Sequence, residues 1–547
     1  MVRTSPRIGM RTRLRRPRAT LAPAGRTRLR RPRAAAAAAG VLLAGGAGLA
    51  VALSGCGALG GIVPGLLDGG RVDTVGTVEF GRPLAVPPLD EGELDASGTR
   101  VFDLTAQAGT TEFTTGKQTP TWGFNGSYLG PTLVANRGET VRVDVHNDLP
   151  EATTVHWHGM HLPARMDGGP HQPIAPGATW SPEWTIDQPA ATLWYHPHPH
   201  GQTETHVARG LAGMFLVRDP AEAALALPRN YGVDDIPLIV QDKRFTADGA
   251  FDDGTRGFVG ALGDTLLVNG TLGPFLDVTT QTVRLRLLNA STARSYDFGF
   301  ADDRTFQLIA SDGGLLDAPV PATRIRLSPG ERAEIVVRFV PGETTTLRST
   351  APALGTEPEV ANRNGGADRF DVLQLRAAAS LTPSSGQDAA ARLSTIERLR
   401  ESDVTTRRTI TLDGFAIDDD VMQLDRIDQV VQLGATELWT VQNEMELPHN
   451  FHVHDVQFQV LSIGGAPPPP ELGGWKDTVY LPPDTELRLI MRFDDYADPD
   501  APYMYHCHLL WHEDQGMMGQ FVVVEPGQHV ESGQGAGTIE GNGHDHH

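Results

Sequence analysis

Four short histidine pairs dominate the chemistry that this sequence could perform. Each has the form His-x-His, and because alternate residues of a β-strand point to one face, each would present two imidazoles side by side. Neutral imidazole is a common metal ligand. One pair is as consistent with surface or core packing as with a metal, whereas four favour a metal centre. The residues are His156, His158, His196, His198, His452, His454, His506 and His508.

A second set of residues surrounds Cys507, which is flanked on both sides by a histidine of the last pair. On a strand its thiol would face away from those imidazoles, so one strand could contact two metal centres. A thiolate, two imidazoles and a weak axial thioether describe a blue-copper electron-transfer site, whereas structural zinc more often uses several thiolates. His449, His512 and Met517 complete that set. Met518 competes with Met517, since a shift of one residue exchanges them.

The eight paired imidazoles predict a polynuclear site of imidazole ligands only, typical of copper that handles dioxygen. Other histidines lie close to these motifs but outside their spacing, and we expect them at the surface or in support of the ligands. They are His161, His171, His200 and His206.

The elements that must position these residues form a threefold repeat. Three segments alternate apolar and polar residues and end in Asn: Thr140 to Asn147, Thr282 to Asn289 and Glu437 to Asn443. A second family of segments begins at a Pro-Gly or Pro-Asp turn and runs into a strand, with a similar spacing. Alternation bounded by Gly, Pro and Asp marks half-buried strands, so a repeat near 150 residues predicts three β-sandwich domains.

The domain limits follow from this repeat. The stretch 379–404 contains a Ser-Ser-Gly turn and a short helical-looking run to Arg400, and is interpreted as a linker. The Gly-rich end, 528–547, finishes with His544, His546 and His547 and is interpreted as a disordered tail. The three domains are placed at 75–219, 232–378 and 405–527.

From these motifs the sequence resembles a multicopper oxidase of the laccase-like, three-domain bacterial type, over residues 75 to 527. The resemblance implies three tandem cupredoxin-like Greek-key β-sandwiches and four copper ions, with the second domain as a spacer without ligands. By the family pattern, the ligands are His449, Cys507, His512 and Met517 for type 1 copper, His156 and His452 for type 2, and His158, His196 and His508 with His198, His454 and His506 for the type 3 pair.

The resemblance also implies four one-electron oxidations of a reducing substrate coupled to reduction of dioxygen to water. His449 and His512 are expected near the surface, where they can pass electrons. Glu513 and Asp167 match family positions that relay protons. Alternatively, Asp167 caps a Gly-Gly turn and Glu513 is a surface charge. Trp511 either lines a substrate surface or packs in the core.

Three functions compete for this pattern. A thioether axial ligand favours easily oxidised donors, namely phenols and aromatic amines. A metallo-oxidase of cuprous or ferrous ions is the alternative, although the 11 methionines form no cluster; Glu444, Glu446 and Asp418 to Asp420 could hold a cation. A copper-free scaffold of the cell envelope would have lost ligands, and here all twelve positions are filled.

Charge separates the chain into two parts. The 547 residues carry 46 Lys and Arg against 67 Asp and Glu. Residues 1–55 hold 12 arginines and no acidic residue, so from Cys56 onward 34 basic residues face 67 acidic ones, a net charge of −33. The acidic body excludes a nucleic-acid binder that works by bulk positive charge and would attract cations.

The basic part has the order of an export signal, with arginines followed by an apolar stretch from Ala34 to Ser54. Leu53-Ser54-Gly55-Cys56 resembles a bacterial lipoprotein processing site, which implies a lipid on Cys56 that holds the protein at a membrane surface. Residues 56–74 are interpreted as a flexible tether. Ordinary cleavage with a free Cys56, or a membrane anchor, remain as alternatives.

Overall fold

The computed structural model describes residues 71–252, 254–384 and 391–530. Their chain forms three consecutive β-sandwiches, each with its own buried core, which confirms the all-β class. The signal segment 1–55, Cys56 and the tail from 531 lie outside the described residues. Within the described ranges, no helix has the length and apolar character needed to cross a membrane.

The first sandwich carries two histidine pairs on neighbouring strands. Its sheets have the orders β10-β7-β4-β3, with β5 on β4 and β9 on β7, and β2-β6-β12-β11-β8. Strand β1 Arg82–Pro83 precedes this sandwich and pairs with the second one. The elements of the first sandwich are β2 Leu89–Asp90, β3 Glu93–Leu94, β4 Arg100–Thr114, β5 Lys117–Phe124, β6 Thr132–Asn136, β7 Thr140–Asn147, β8 His156–His158, a 3-10 turn Ala164–Met166, β9 Thr179–Trp180, β10 Glu183–Thr185, β11 Ala191–His196, α1 Thr203–Arg209, β12 Gly213–Arg218 and α2 Pro220–Ala223.

The second sandwich has the sheet orders β15-β14-β13-β17-β22-β19-β20 and β1-β16-β24-β23-β18-β21. Its elements are β13 Asp235–Lys243, β14 Thr265–Val268, β15 Thr271–Leu272, β16 Pro274–Thr280, β17 Thr282–Asn289, β18 Tyr296–Phe300, β19 Phe306–Ser311, β20 Gly314–Ala322, β21 Arg324–Leu327, β22 Arg332–Arg338, β23 Thr344–Thr350, α3 Pro358–Arg363 and β24 Phe370–Thr382.

The third sandwich has the sheet orders β26-β25-β28-β32-β30 and β27-β34-β33-β29-β31. Its elements are 3-10 turns at Glu401–Asp403 and Pro470–Leu472, β25 Thr406–Asp413, β26 Ala416–Ile417, β27 Gln429–Gln432, β28 Ala435–Asn443, β29 His449–Val453, β30 Phe458–Ile463, β31 Thr478–Leu481, β32 Glu486–Phe493, β33 Asp498–His506, α4 Leu510–Asp514 and β34 Met518–Val524.

The three Asn-ended segments occupy one position in the three sandwiches. β7, β17 and β28 each end at the asparagine and each pair in parallel with the long strand that precedes them, β4, β13 or β25. Each asparagine donates its side-chain amide to two backbone carbonyls, at distances of 2.7 to 3.0 Å. This side chain closes the loop that follows, and in the third sandwich that loop leads directly to His449.

Two connections differ from expectation. The end of the predicted tether is not free, because Thr74 N donates to Arg369 O at 3.0 Å. The run towards Arg400 has no helix in its described part, residues 391–400. Leu393 is buried in the second core, and Asp317 accepts the Leu393 and Ile396 amides, so tertiary contacts hold this stretch extended.

Candidate metal centre

The strands bring the histidine pairs together in twos. In the first sandwich β8 lies beside β11, with His156 opposite His196. In the third, β29 lies beside β33, with His452 opposite His506. His198 and His508 follow the ends of their strands, and all eight imidazoles are buried. Within each of the two sandwiches, strand pairing thus brings together histidines that are distant in sequence.

Imidazoles from the first and third sandwiches interleave. His156 stacks on His454 and His158 stacks on His452, each with ring centroids 3.8 Å apart. The Nε2 atom of His506 lies 3.2 Å from the Nε2 atoms of both His198 and His454. These three nitrogens converge on one point. The cluster therefore belongs to two domains.

Hydrogen bonds leave one nitrogen of several rings without a partner. The Nδ1 atoms of His156 and His452 lie 3.0 and 2.8 Å from the carbonyl oxygens of Asp167 and Asp477, so they donate, and the buried Nε2 atoms have no partner. His196 repeats this through the Pro197 carbonyl. Buried nitrogens with no partner normally cost free energy, whereas a metal ion would satisfy them.

Burial favours the neutral form of four imidazoles of the cluster. Loss of solvation, with repulsion from neighbouring rings, holds the pKa well below the usual value for His452, His454 and His506, and lowers it to about 3 for His508. A neutral imidazole has a lone pair for a metal. Three groups of histidines have ligand atoms within 4.8 Å of one another: His156 with His158 and His196; His156 with His452 and His454; and His198 with His454 and His506.

Cys507 forms a second centre beside the first. Its Sγ atom lies 3.5 Å from His449 Nδ1 and 3.6 Å from His512 Nδ1, and these nitrogens are 3.0 Å apart. Burial raises the pKa of the thiol to about 12. A bound cation would release its proton, because a coordinating cysteine binds as the thiolate. The triangle of two nitrogens and one sulfur fits a blue-copper ligand set.

Comparison with known proteins agrees with this geometry. Family models described as multicopper oxidase match residues 105–222, 239–346 and 394–527. The chain belongs to the multicopper oxidase family. It is 35% identical over 444 residues to multicopper oxidase mco of Staphylococcus haemolyticus, covering 80% of this chain and 92% of that protein. It is 36% identical over 449 residues to the cell division protein FtsP of Salmonella typhimurium, covering 81% and 93%.

Among solved structures, the chain resembles a laccase-like multicopper oxidase, CueO, from the lignin-degrading bacterium Ochrobactrum sp.. The TM-score is 0.74 with 37% identity, over 81% of this chain and 100% of that one. The resemblance to a laccase-like multicopper oxidase and the cupredoxin-like fold are thereby confirmed. Because relatives of this multicopper oxidase carry different roles, its substrate has to be argued from its own site.

The structure separates the two candidate axial methionines of this multicopper oxidase. Met517 is fully buried in the core that contains Cys507, and its carbonyl accepts the Cys507 amide at 3.2 Å. Met518 packs against Met422 and Met504 in a different cluster. The packing therefore favours Met517 as the thioether beside Cys507.

We expect Met517→Leu to raise the reduction potential of the blue site, because a thioether stabilises oxidised copper more than an alkyl group does. Met518→Leu removes the same sulfur from the neighbouring position and should leave the potential unchanged. Redox titration of the blue band measures both. A larger shift in reduction potential for Met518→Leu than for Met517→Leu would assign Met518 as the axial ligand instead.

Two carboxyl groups lie at different ends of the imidazole cluster. Asp167 Oδ2 accepts from His454 Nδ1 at 2.7 Å. Glu513 lies 3.2 Å from His506 Nδ1 and 3.4 Å from His198 Nδ1, and neither of its oxygens has a hydrogen-bond partner. Burial, reinforced by Asp514, raises the pKa of Glu513 well above its usual value. The alternative of Glu513 as a surface charge is wrong, because it is 1% exposed.

Sequence reasoning missed an anchor that the second sandwich supplies. Asp477 Oδ1 accepts from His158 Nε2 at 3.0 Å, and Arg332 donates to both oxygens of Asp477 at 2.7 and 2.6 Å. All three side chains are buried. The second domain is therefore more than a spacer. No motif pointed to this anchor, since 145 residues separate Arg332 from Asp477.

We expect Arg332→Met to lower copper affinity by about 10- to 100-fold, the usual cost of losing a residue that orients a metal ligand. The unpaired Asp477 carboxylate would turn towards other donors and release His158. Copper per chain under dialysis against a chelator measures the loss. Arg324→Met, which breaks the Asp303 ion pair on the outside of the same sandwich, is the control and should retain its copper.

The remaining histidines do not enter the cluster. His206 donates from Nε2 to the Glu151 carboxylate, and its Nδ1 is hydrogen bonded to the Thr153 hydroxyl. His171 contacts Gln520. His200 is exposed, and His161 lines a separate cavity of about 290 Å³. His449 and His512, expected near the surface, have exposures of 1% and 0% and are therefore covered by other residues.

Proposed function

We propose that this multicopper oxidase couples four one-electron oxidations of small phenols or aromatic amines to the reduction of one dioxygen to two waters. The convergence of all eight paired imidazoles, next to the Cys507 triangle, carries this proposal. Four coppers would be held, type 1 by His449, Cys507, His512 and Met517, type 2 by His156 and His452, and the type 3 pair by His158, His196, His508 and by His198, His454, His506.

Bound copper would supply the redox chemistry, taking single electrons at the blue site and reducing dioxygen at the imidazole cluster. The chain itself supplies the connection, since Cys507 is bonded through the backbone to His506 and His508. Asn450 holds this connection in place. Its Oδ1 accepts the His508 amide at 2.6 Å and lies 3.5 Å from Cys507 Sγ. A fixed, short path is what rapid intramolecular electron transfer requires.

Glu513 and Asp167 are the proposed proton relay. Reduction of dioxygen to water consumes four protons, which must reach a cluster whose imidazoles are buried. Burial raises the pKa of Glu513 and so favours its protonated form, which could give a proton beside His198 and His506. Asp167 holds His454 and lies 3.3 Å from His156 at the other end.

The residues over the blue site support an organic donor. The His512 ring is in contact with the rings of Phe258 and Phe415, and its Nε2 donates to the Phe258 carbonyl. Comparing turnover on a simple methoxyphenol with turnover on Cu(I) and Fe(II) tests the substrate class. Oxidation of the metal ions alone would contradict it.

A metallo-oxidase is the second candidate, and one acidic cavity favours it. Asp418, Asp420 and Asp428 line a cavity of about 170 Å³ beside Met518. Burial and the neighbouring carboxylates raise the pKa of Asp418. Asp418→Asn should leave phenol turnover unchanged, and a selective loss of Fe(II) or Cu(I) oxidation would support the second candidate.

A copper-free cell-envelope scaffold is the third candidate function, and a cell division protein is among the relatives. Such a protein has no need for twelve filled ligand positions, so we propose an enzyme instead.

We also propose that the chain is exported and held at the membrane by lipid on Cys56. Cys56→Ser should move the oxidase from the membrane fraction to the soluble fraction of the native host, and an unchanged distribution would reject the anchor.

A further inference from the structure

His512 is covered by a turn that comes from the second sandwich. Its Nε2 atom donates to the carbonyl oxygen of Phe258 at 3.0 Å. The Phe258 ring lies 5.4 Å from the His512 ring and the Phe415 ring lies 5.2 Å from it, both nearly perpendicular. The two phenyl rings stack on each other at 5.0 Å and 19°. Both phenylalanines are half-buried, whereas His512 has no exposed surface.

The turn is held on several sides. Gly257 N donates to Gly260 O at 2.9 Å, which closes the turn around Phe258 and Val259. Val259 is buried in the core of the third sandwich. Gly260 has φ +116°, and a Cβ atom there would approach Trp511 Cβ to 3.1 Å, so only glycine fits. The cover is a fixed part of the fold.

A neighbouring ion pair ties the turn to the first sandwich. Arg256 pairs with Glu204 of α1 and stands over the Trp511 ring, 5.1 Å from its centroid. Glu204 also accepts the Ala261 amide at 3.1 Å. The residues on both sides of the Phe258 turn, Arg256 and Ala261, are thus bonded to Glu204. Phe415, the other residue of the cover, belongs to the loop between β25 and β26.

We propose that the stacked Phe258–Phe415 pair is a size filter that selects the reducing substrate. This inference rests on the proposed oxidation of an organic donor. A small ring can lie flat on the outer phenyl face, close to the Phe258 carbonyl that bonds His512, and electrons enter there. A donor with bulky groups beside its hydroxyl is held further away. Each phenol loses one electron inward and its hydroxyl proton to solvent, which leaves a phenoxyl radical.

The test compares donors of two sizes on the copper-loaded full chain. Hydroquinone is the small donor and 2,6-di-tert-butylphenol the bulky one, and the readouts are kcat/KM and the anaerobic rate of bleaching of the blue band. We expect Phe258→Ala with Phe415→Ala to raise the bulky-to-small ratio by about tenfold, the order of a steric change in a binding site. Phe258→Leu serves if the double variant does not fold.

Phe275→Ala is the matched control, because Phe275 is half-buried on β16 under Arg376 and lies outside the cover. An equal bulky-to-small ratio in Phe275→Ala and in the Phe258→Ala, Phe415→Ala double variant would overturn the proposed size filter. A second readout is independent of turnover: pulsed EPR of the blue copper in D₂O follows exchange of the His512 Nε2 proton. Slow exchange in the parent that becomes fast in the double variant supports the cover, and fast exchange in the parent overturns it.

The two arms also separate this inference from the proposed function. If neither phenol reduces the blue site while Fe(II) or Cu(I) does, the proposed substrate class fails. The exchange experiment still decides whether the phenylalanine pair covers His512.

Discussion

Cys507→Ser is expected to remove the blue colour and to lower turnover by at least about 100-fold, the upper end for losing a group around a bound metal. The sulfur of Cys507 is the one thiol near His449 and His512 among the described residues, at 3.5 and 3.6 Å. Serine has no thiolate to bind copper or to give the charge-transfer band. Absorbance and oxygen consumption measure the two effects.

Cys56→Ser is the control for this prediction, because Cys56 is the other cysteine of the chain. We expect it to keep both colour and turnover. The imidazole ligands are untouched in either variant, so the cluster should retain its copper. A Cys507→Ser protein that stays blue would contradict the assignment of the electron-entry site.

Glu513→Gln is expected to slow reaction with dioxygen by about 10²- to 10⁴-fold, the range for loss of a general acid. Glutamine fills the same buried space between His198 and His506 but has no acidic proton. The blue band should remain, and its anaerobic reduction should keep its rate. Stopped-flow reoxidation with dioxygen isolates the affected step.

Glu525→Gln, at an exposed position after β34, is the matched control and should reoxidise normally. Asp167→Asn should also slow reoxidation with the blue band intact, and in addition weakens the hold on His454. Unchanged reoxidation in the Glu513 and Asp167 variants would reject the relay.

Much of the site follows from strand geometry, which the sequence carries locally. His-x-His spacing predicts two imidazoles on one face, and β8 contains both histidines of its pair, while His198, His454 and His508 lie just beyond the ends of their strands. The asparagines that end β7, β17 and β28 mark equivalent positions because the same loop closure needs the same side chain. These features depend on residues close together along the chain.

Other features depend on contacts that no local pattern contains. Arg332 reaches Asp477 from another domain, and the Phe258 turn covers His512 from a loop with no distinctive motif. No sequence pattern therefore indicated that the His512 side chain has no exposed surface of its own. Similarly, the run before Arg400 has helical composition, but in its described part, from residue 391, Asp317 accepts the Leu393 and Ile396 amides and the chain is not helical.

Copper content of matched variants tests most directly whether the first and third sandwiches share one cluster. The fully loaded parent should bind four copper ions per chain. His156→Ala and His452→Ala, on different domains, should each bind three, and each should lose the same type 2 EPR signal while staying blue. A parent that binds fewer than four ions, or variants that lose different signals, would contradict the shared site.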